Sequence, residues 1–166
     1  IMASVLCEGK TLIKNIAIEP EILDLIDFLN HSGAKILFNS KRSITIEGVD
    51  RLKGVSYSII PDRIEAGTYA IASLITNGKI TLNKINKEIM RNIFDVLKKA
   101  GAQLDFKKTN SVTVSRKKIK SLNVKTLPYP GFPTDMQAQL MSLLCLSKGK
   151  SVIKEDIFEN RFLHVP

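Results

Sequence analysis

The feature that most constrains what this chain can fold into is an internal repeat. The stretch from Ile22 to Ile46 returns at an offset of 68 residues. Ile22, Leu25, Ile26 and Leu29 come back as Met90, Ile93, Phe94 and Leu97. That i, i+3, i+4, i+7 spacing lays one apolar stripe along a helix. Each stripe stops at a glycine, Gly33 or Gly101, where a residue without Cβ can adopt the left-handed conformation that closes a helix. An alanine follows (Ala34, Ala102), and then Ile36 and Phe38, or Leu104 and Phe106, alternate with the period of two that marks a strand. Ser43-Ile44-Thr45-Ile46 and Ser111-Val112-Thr113-Val114 supply a second strand to pair with the first.

Another element recurs three times: a helix poor in charge, a glycine (Gly9, Gly78, Gly149), and a β-rich stretch, in Met2 to Leu12, Thr68 to Leu82 and Met136 to Ile153. The unit is therefore helix, strand, helix, strand, strand, with a further strand leading into the next helix. Ile64 to Ile75 and Met136 to Leu146 are apolar or small nearly all round and are expected to be buried centrally. The Ile22 and Met90 helices are amphipathic and belong nearer the surface. Alternating strands give each sheet one wet face. The expected fold is α/β (α+β) with helices inside and sheets outside. A chain that starts and stops within a repeat is expected to be a piece of a longer protein, and a truncated layering of this kind is expected to self-associate through exposed apolar surface.

Composition narrows the classes. Hydrophobic residues make up 44% and charged residues 25%, the balance of a globular protein. No apolar run approaches the roughly 18 residues of a membrane span, and Ile1 to Leu6 lacks the features of a signal peptide, so no membrane partner and a cytoplasmic location are expected. The net charge of +9 favours anionic partners. The densest basic cluster, Arg116-Lys117-Lys118-Ile119-Lys120, has no interleaved aromatics and reads as a solvated loop, with a nucleic-acid-binding module as the alternative. Cys7 and Cys145 are far apart without metal-ligand spacing and read as small core residues. His31 and His164 read as structural. No metal and no cofactor are expected.

Local chemistry singles out a few residues. Pro61-Asp62-Arg63-Ile64-Glu65 and Pro133-Thr134-Asp135-Met136-Gln137 both resemble capping boxes, with Asp62 and Thr134 as caps. Asp135 would then open its helix with a carboxylate facing outward. It is either an acid favoured by the helix dipole or a general base and hydroxyl ligand. Three prolines and a glycine in Pro128-Tyr129-Pro130-Gly131-Phe132-Pro133 make a stiff loop ahead of it, a functional segment or a connector. Arg161, between Phe158 and Phe162, can fork onto a phosphate or carboxylate, or simply lie over an aromatic ring.

PGFPTDMQAQ (Pro130 to Gln139), IFENRFLHVP (Ile157 to Pro166), PDRIEAGT (Pro61 to Thr68) and EPEILDLIDFLNHSGAKI (Glu19 to Ile36) together resemble the UDP-N-acetylglucosamine 1-carboxyvinyltransferases. These enolpyruvyl transferases share a fold with a sister family acting on shikimate 3-phosphate, which stays as an alternative. The resemblance implies an inside-out α/β barrel-like fold of two lobes built from βαβαββ repeats. Residues 1–60 would be the last repeat of one lobe, and 61–166 the first repeat and start of the second repeat of the other. It implies transfer of the enolpyruvyl group of phosphoenolpyruvate to the 3′-hydroxyl of UDP-N-acetylglucosamine. Asp135 matches the carboxylate that takes the hydroxyl proton, and Ile157 matches a residue lining the sugar-nucleotide site, with Phe158 beside it. Arg161 matches an arginine near the reacting phosphate, and Arg63 one at the mouth between lobes. Tyr129 stands where some members carry histidine, and Glu19 and Glu21 match acidic positions of the other lobe. The family's protonating Cys or Asp and its phosphoenolpyruvate-gripping Lys match nothing here, neither Cys7 nor Cys145. This stretch alone is therefore expected to be inactive and to need the remainder of its own chain.

Overall fold

The repeat is realised as the same five-element order twice. In the computed structural model, which describes residues 1–165 and only the backbone of Lys107 and Lys108, the first copy runs α1 (Met2–Val5), β1 (Lys10–Lys14), α2 (Pro20–His31), β2 (Lys35–Ser40) and β3 (Ser43–Glu47). The second runs α3 (Arg63–Ile75), β4 (Ile80–Asn83), α4 (Lys87–Lys99), β5 (Ala102–Lys108) and β6 (Ser111–Arg116). A third copy begins with β7 (Asn123–Lys125), a 3-10 turn at Thr134–Met136, α5 (Gln137–Leu144) and β8 (Val152–Lys154). Pro166, the end of the IFENRFLHVP motif, lies outside the described residues. The chain divides into two compact units, Ile1–Ile60 and the residues from Pro61 on.

Each whole copy builds an antiparallel three-stranded sheet with its last strand in the middle, β1-β3-β2 and β4-β6-β5. The register aligns Ile36 with Ile46 in the first and Leu104 with Val114 in the second, as the repeat requires. Both sheets shift register at the same place, between Phe38 and Ser40 and between Asp105 and Lys108. Gly33 and Gly101 end α2 and α4 at φ +98° and +108°. After α3, Asn77 at φ +56° takes the left-handed position in place of Gly78, since an asparagine side chain tolerates that conformation.

In the first unit the core gathers Val5, Ile26, Leu29, Ile36, Ile44 and Ile46. In the second, the α4 stripe is wholly buried: Met90, Ile93, Phe94 and Leu97 pack with Ala70, Ile71 and Leu74 of α3, Val112 and Val114 of β6, and Met136, Leu140 and Leu143. The central helices are not buried all round. Tyr69 is 58% exposed, and Glu65 and Ala72 of α3 are also exposed, because α4, α5 and β6 cover only the opposite face of the helix. One further expectation is overturned. Cys7 and Cys145 are exposed, since each sits just past the last turn of a short helix and points away from its packed side. The basic cluster begins in β6, whose last residue is the half-buried Arg116, and continues as a loop with Lys117, Lys118 and Lys120 exposed and Ile119 buried as its anchor.

Candidate functional site

Parallel strands β7 and β8 pair Asn123 with Val152 and Lys125 with Lys154, and α5 connects them. Ligands of such units bind beyond the carboxyl ends of the strands, near the helix N-terminus. The two lysines that this register sets side by side are bridged by Asp156, 2.8 Å from Lys125 Nζ and 3.3 Å from Lys154 Nζ. The hydrogen bond from Lys125 holds the Asp156 carboxyl below its ordinary value, against the opposing effect of burial.

The segment leaving β7 is the proline loop. It is closed by Leu127 N–H to the Phe132 carbonyl at 3.0 Å and Gly131 N–H to the Pro128 carbonyl at 2.8 Å, and contains a cis Tyr129–Pro130 bond. Phe132 is buried in the core, and Asn92 of α4 donates from its side chain to the Gly131 carbonyl. The loop is therefore fixed on three sides before it delivers Thr134 and Asp135. From α3, Arg63 is buried and places its guanidinium 5.8 Å from the Tyr129 ring centre. The Asp62 cap forms as read, accepting from Ile64 N–H at 2.7 Å and Glu65 N–H at 3.0 Å.

The Thr134 cap does not form. No side-chain bond caps the turn, which begins as 3-10 helix. The Thr134 hydroxyl instead donates to Glu155 Oε2 at 2.7 Å and accepts from Arg161 Nε at 3.2 Å. These charged partners outcompete the backbone amide, because hydrogen bonds to ionised groups are roughly twice as strong as neutral ones. Arg161 Nη2 donates to Asp135 Oδ1 at 2.6 Å, and its guanidinium lies 5.4 Å from the Phe158 ring centre. Glu155 Oε1 accepts from Ile157 N–H at 2.8 Å and Phe158 N–H at 3.3 Å. Burial pushes the Glu155 carboxyl up. The hydrogen bonds from Thr134, the Ile157 amide, Thr126 and the Phe158 amide outweigh it and hold the group below its ordinary value.

Asp135, Arg161, Phe158, Ile157, Tyr129 and Arg63 thus all lie in the second unit, with Asp135, Arg161, Phe158 and Ile157 linked through one network. Glu19 and Glu21 lie in the first unit, at the N-cap and in the first turn of α2. Sequence reasoning missed Glu155, which joins the two halves of the network. The available signal was an acidic residue two positions before the IFENR motif, placed to accept from that motif's own amides. Asp135 and Arg161 keep side-chain exposures of 58% and 39%. An ion pair so wetted adds little stability, so its value lies in geometry: a carboxylate with one oxygen engaged, beside a guanidinium with further donors for an anion. Among the described residues no cluster of three or more His, Cys, Asp or Glu is placed to hold a metal.

This architecture is that of the enolpyruvyl transferases. The crystal structure of the enolpyruvyl transferase NikO from Streptomyces tendae matches with a TM-score of 0.82 at 22% identity, covering 96% of this chain and 38% of that one. An EPSP synthase from Acinetobacter baumannii matches with a TM-score of 0.54 at 16% identity, over 92% of this chain and 36% of that one. The family model described as EPSP synthase (3-phosphoshikimate 1-carboxyvinyltransferase) matches residues 1–166, and the chain belongs to that family. Curated relatives include UDP-N-acetylglucosamine 1-carboxyvinyltransferases of Pelagibacter ubique, 51% identical over 99% of this chain, and of the Wolbachia of Brugia malayi, 54% identical over 99%. The chain spans 40% and 39% of the lengths of these two relatives. No helix among the described residues is long and apolar enough to cross a membrane.

Proposed function

We propose that the protein carrying this chain transfers the enolpyruvyl group of phosphoenolpyruvate to the 3′-hydroxyl of UDP-N-acetylglucosamine and releases phosphate, a cytoplasmic step toward the peptidoglycan of the cell wall and hence toward cell shape and division. The observation that carries the reading is the Asp135–Arg161 pair at the N-terminal turn of α5, beyond the carboxyl ends of β7 and β8. An alcohol attacking C2 of the enolpyruvyl group must lose its proton, and a carboxylate within hydrogen-bond reach accepts it. Asp135 Oδ2 is the oxygen offered to the sugar hydroxyl, while Oδ1 stays with Arg161. As the C–O bond forms, C3 takes a proton from a group outside this chain. Phosphate then leaves C2 and C3 gives up a proton, restoring the vinyl group.

Arg161 and the buried Arg63 supply cations to the phosphate and carboxylate of phosphoenolpyruvate and to the diphosphate of the sugar nucleotide. Ile157, Phe158 and Tyr129 line the sugar-nucleotide side, and Glu19 and Glu21 are acidic substrate-binding positions of the first unit. In this reading residues 1–60 close one lobe and residues 61–166 open the other. The partners are the two substrates and the remainder of the protein, with a second copy of the chain engaged through exposed apolar side chains such as Leu37, Ile59 and Tyr69. No nucleic acid is required to account for the charge.

The test is phosphate release from phosphoenolpyruvate by the full-length protein, with and without UDP-N-acetylglucosamine. Sugar-dependent release that Asp135→Asn abolishes is the expected result, with this stretch alone inactive. Release that depends on shikimate 3-phosphate instead would assign the sister activity and sink this reading.

A further inference from the structure

We propose that Glu155 is a positioning residue that sets the direction and place of Arg161, one oxygen acting through Thr134 and the other through the Phe158 loop; the inference rests on the functional reading above. A threonine hydroxyl has one hydrogen to give and lone pairs to receive. An ionised carboxylate only accepts, so Glu155 Oε2 at 2.7 Å claims the Thr134 hydrogen. That leaves a Thr134 lone pair for Arg161 Nε–H at 3.2 Å. With Nε so fixed, the planar fork presents Nη2 to Asp135 Oδ1 at 2.6 Å. The polarity of the chain of bonds, from Arg161 through Thr134 to Glu155, is dictated at its Glu155 end.

The second oxygen supports Arg161 from beneath. Glu155 Oε1 receives the Ile157 and Phe158 amides, which fixes the backbone carrying the Phe158 ring under the guanidinium. Both supports of Arg161 therefore trace to one side chain, and the carboxyl value held low by these bonds is consistent with it. Had Glu155 been a loop staple alone, only its Oε1 bonds would matter, and the bond from Thr134 to its Oε2 would be dispensable to Arg161.

The experiment uses the full-length protein and its Glu155→Gln, Thr134→Val and Thr134→Ser variants. The first readout needs no substrate: the ¹⁵N Nε–H resonance of Arg161, its order parameter and its exchange with water. Order is expected in the wild type and Thr134→Ser, with faster exchange and lower order in Thr134→Val and Glu155→Gln. The second readout is kcat against KM. Thr134→Val and Glu155→Gln are each expected to lower kcat about 10- to 100-fold, the usual cost of losing an orienting partner, with the sugar-nucleotide KM within about threefold and serine restoring kcat. The double variant is expected to be no worse than the poorer single one, since both act through the same bond.

An Arg161 Nε–H that stays ordered in both variants overturns the proposal, as do multiplying losses in kcat. Should Glu155→Gln melt below the assay temperature, its Arg161 resonance is read at a temperature below its melting point. Absent sugar-dependent phosphate release by the wild type would refute the functional reading, and the resonance would still decide the positioning.

Discussion

Gly33 and Gly101 hold the same place in two copies of one repeat, at φ +98° and +108°, yet alanine should cost very different amounts at the two. A left-handed backbone costs an L-residue with a Cβ roughly 1–2 kcal/mol. At Gly33 a Cβ would meet nothing within 4 Å, so that strain is the whole penalty. At Gly101 it would sit 2.2 Å from the Lys118 carbonyl oxygen and 3.2 Å from its carbon. Both are backbone atoms, so no rotamer change relieves the overlap. The loop after β6 must move, which endangers the Lys120 N–H bond to the Ala100 carbonyl at 3.0 Å and the seat of Ile119, 3% exposed. A strained overpacked site adds about 1–3 kcal/mol, and a lost hydrogen bond about 1 kcal/mol. Gly101→Ala should therefore cost about 3–6 kcal/mol against about 1–2 for Gly33→Ala. The larger figure is a substantial part of the roughly 5–15 kcal/mol that holds a domain folded. Native-state hydrogen exchange reads the two units separately, through amides of α4 and of α2. Equal loss of protection in the two variants would refute the steric reasoning.

Three further outcomes are expected. Asp62→Ala removes an acceptor of two amide hydrogens and should destabilise the second unit by about 1 kcal/mol; an unchanged urea midpoint would count against the cap. Glu155 is held below its ordinary carboxyl value of 4.5, so its stabilising effect is complete above that value and is lost as pH falls through the lower folded one. Glu155→Gln should accordingly flatten the fall of melting temperature below pH 4.5, and parallel wild-type and variant curves would contradict this. Burial, followed by hydrogen bonds with Asp24 and Asp27, pushes the Tyr57 phenol well above its ordinary value of 10.0. Tyr57→Phe should then remove phenolate absorbance at 295 nm only at pH above 10, and a difference already developed below that pH would show that the contacts at 2.8 and 2.9 Å are not made in solution.

The order of elements, their periods and most of their ends were fixed by the sequence alone. An i, i+3, i+4, i+7 stripe commits Ile22 to Leu29 and Met90 to Leu97 to helices whatever surrounds them, and alternation commits Ser43 to Ile46 and Ser111 to Val114 to strands. The left-handed exits at Gly33 and Gly101 and the Asp62 cap were equally legible, because the atoms involved are within a few residues of one another. Asp135, Arg161 and Phe158 could be marked, but only as separate motifs about 25 positions apart.

What the tertiary structure alone decided depends on which groups meet across such distances. Thr134 reads locally as a cap, and it abandons that role because Glu155 and Arg161, 21 and 27 residues on, offer charged partners that the local backbone cannot match. Cys7 and Cys145 sit in apolar stretches yet face solvent, since a composition window cannot say on which side of a short helix a residue falls. Glu155 carried no motif of its own; its importance arises from β7 and β8 lying in parallel register, which places the exits of two strands at one helix end. Local propensity is written in neighbouring residues, whereas a site built from two loops is written in the packing that brings them together.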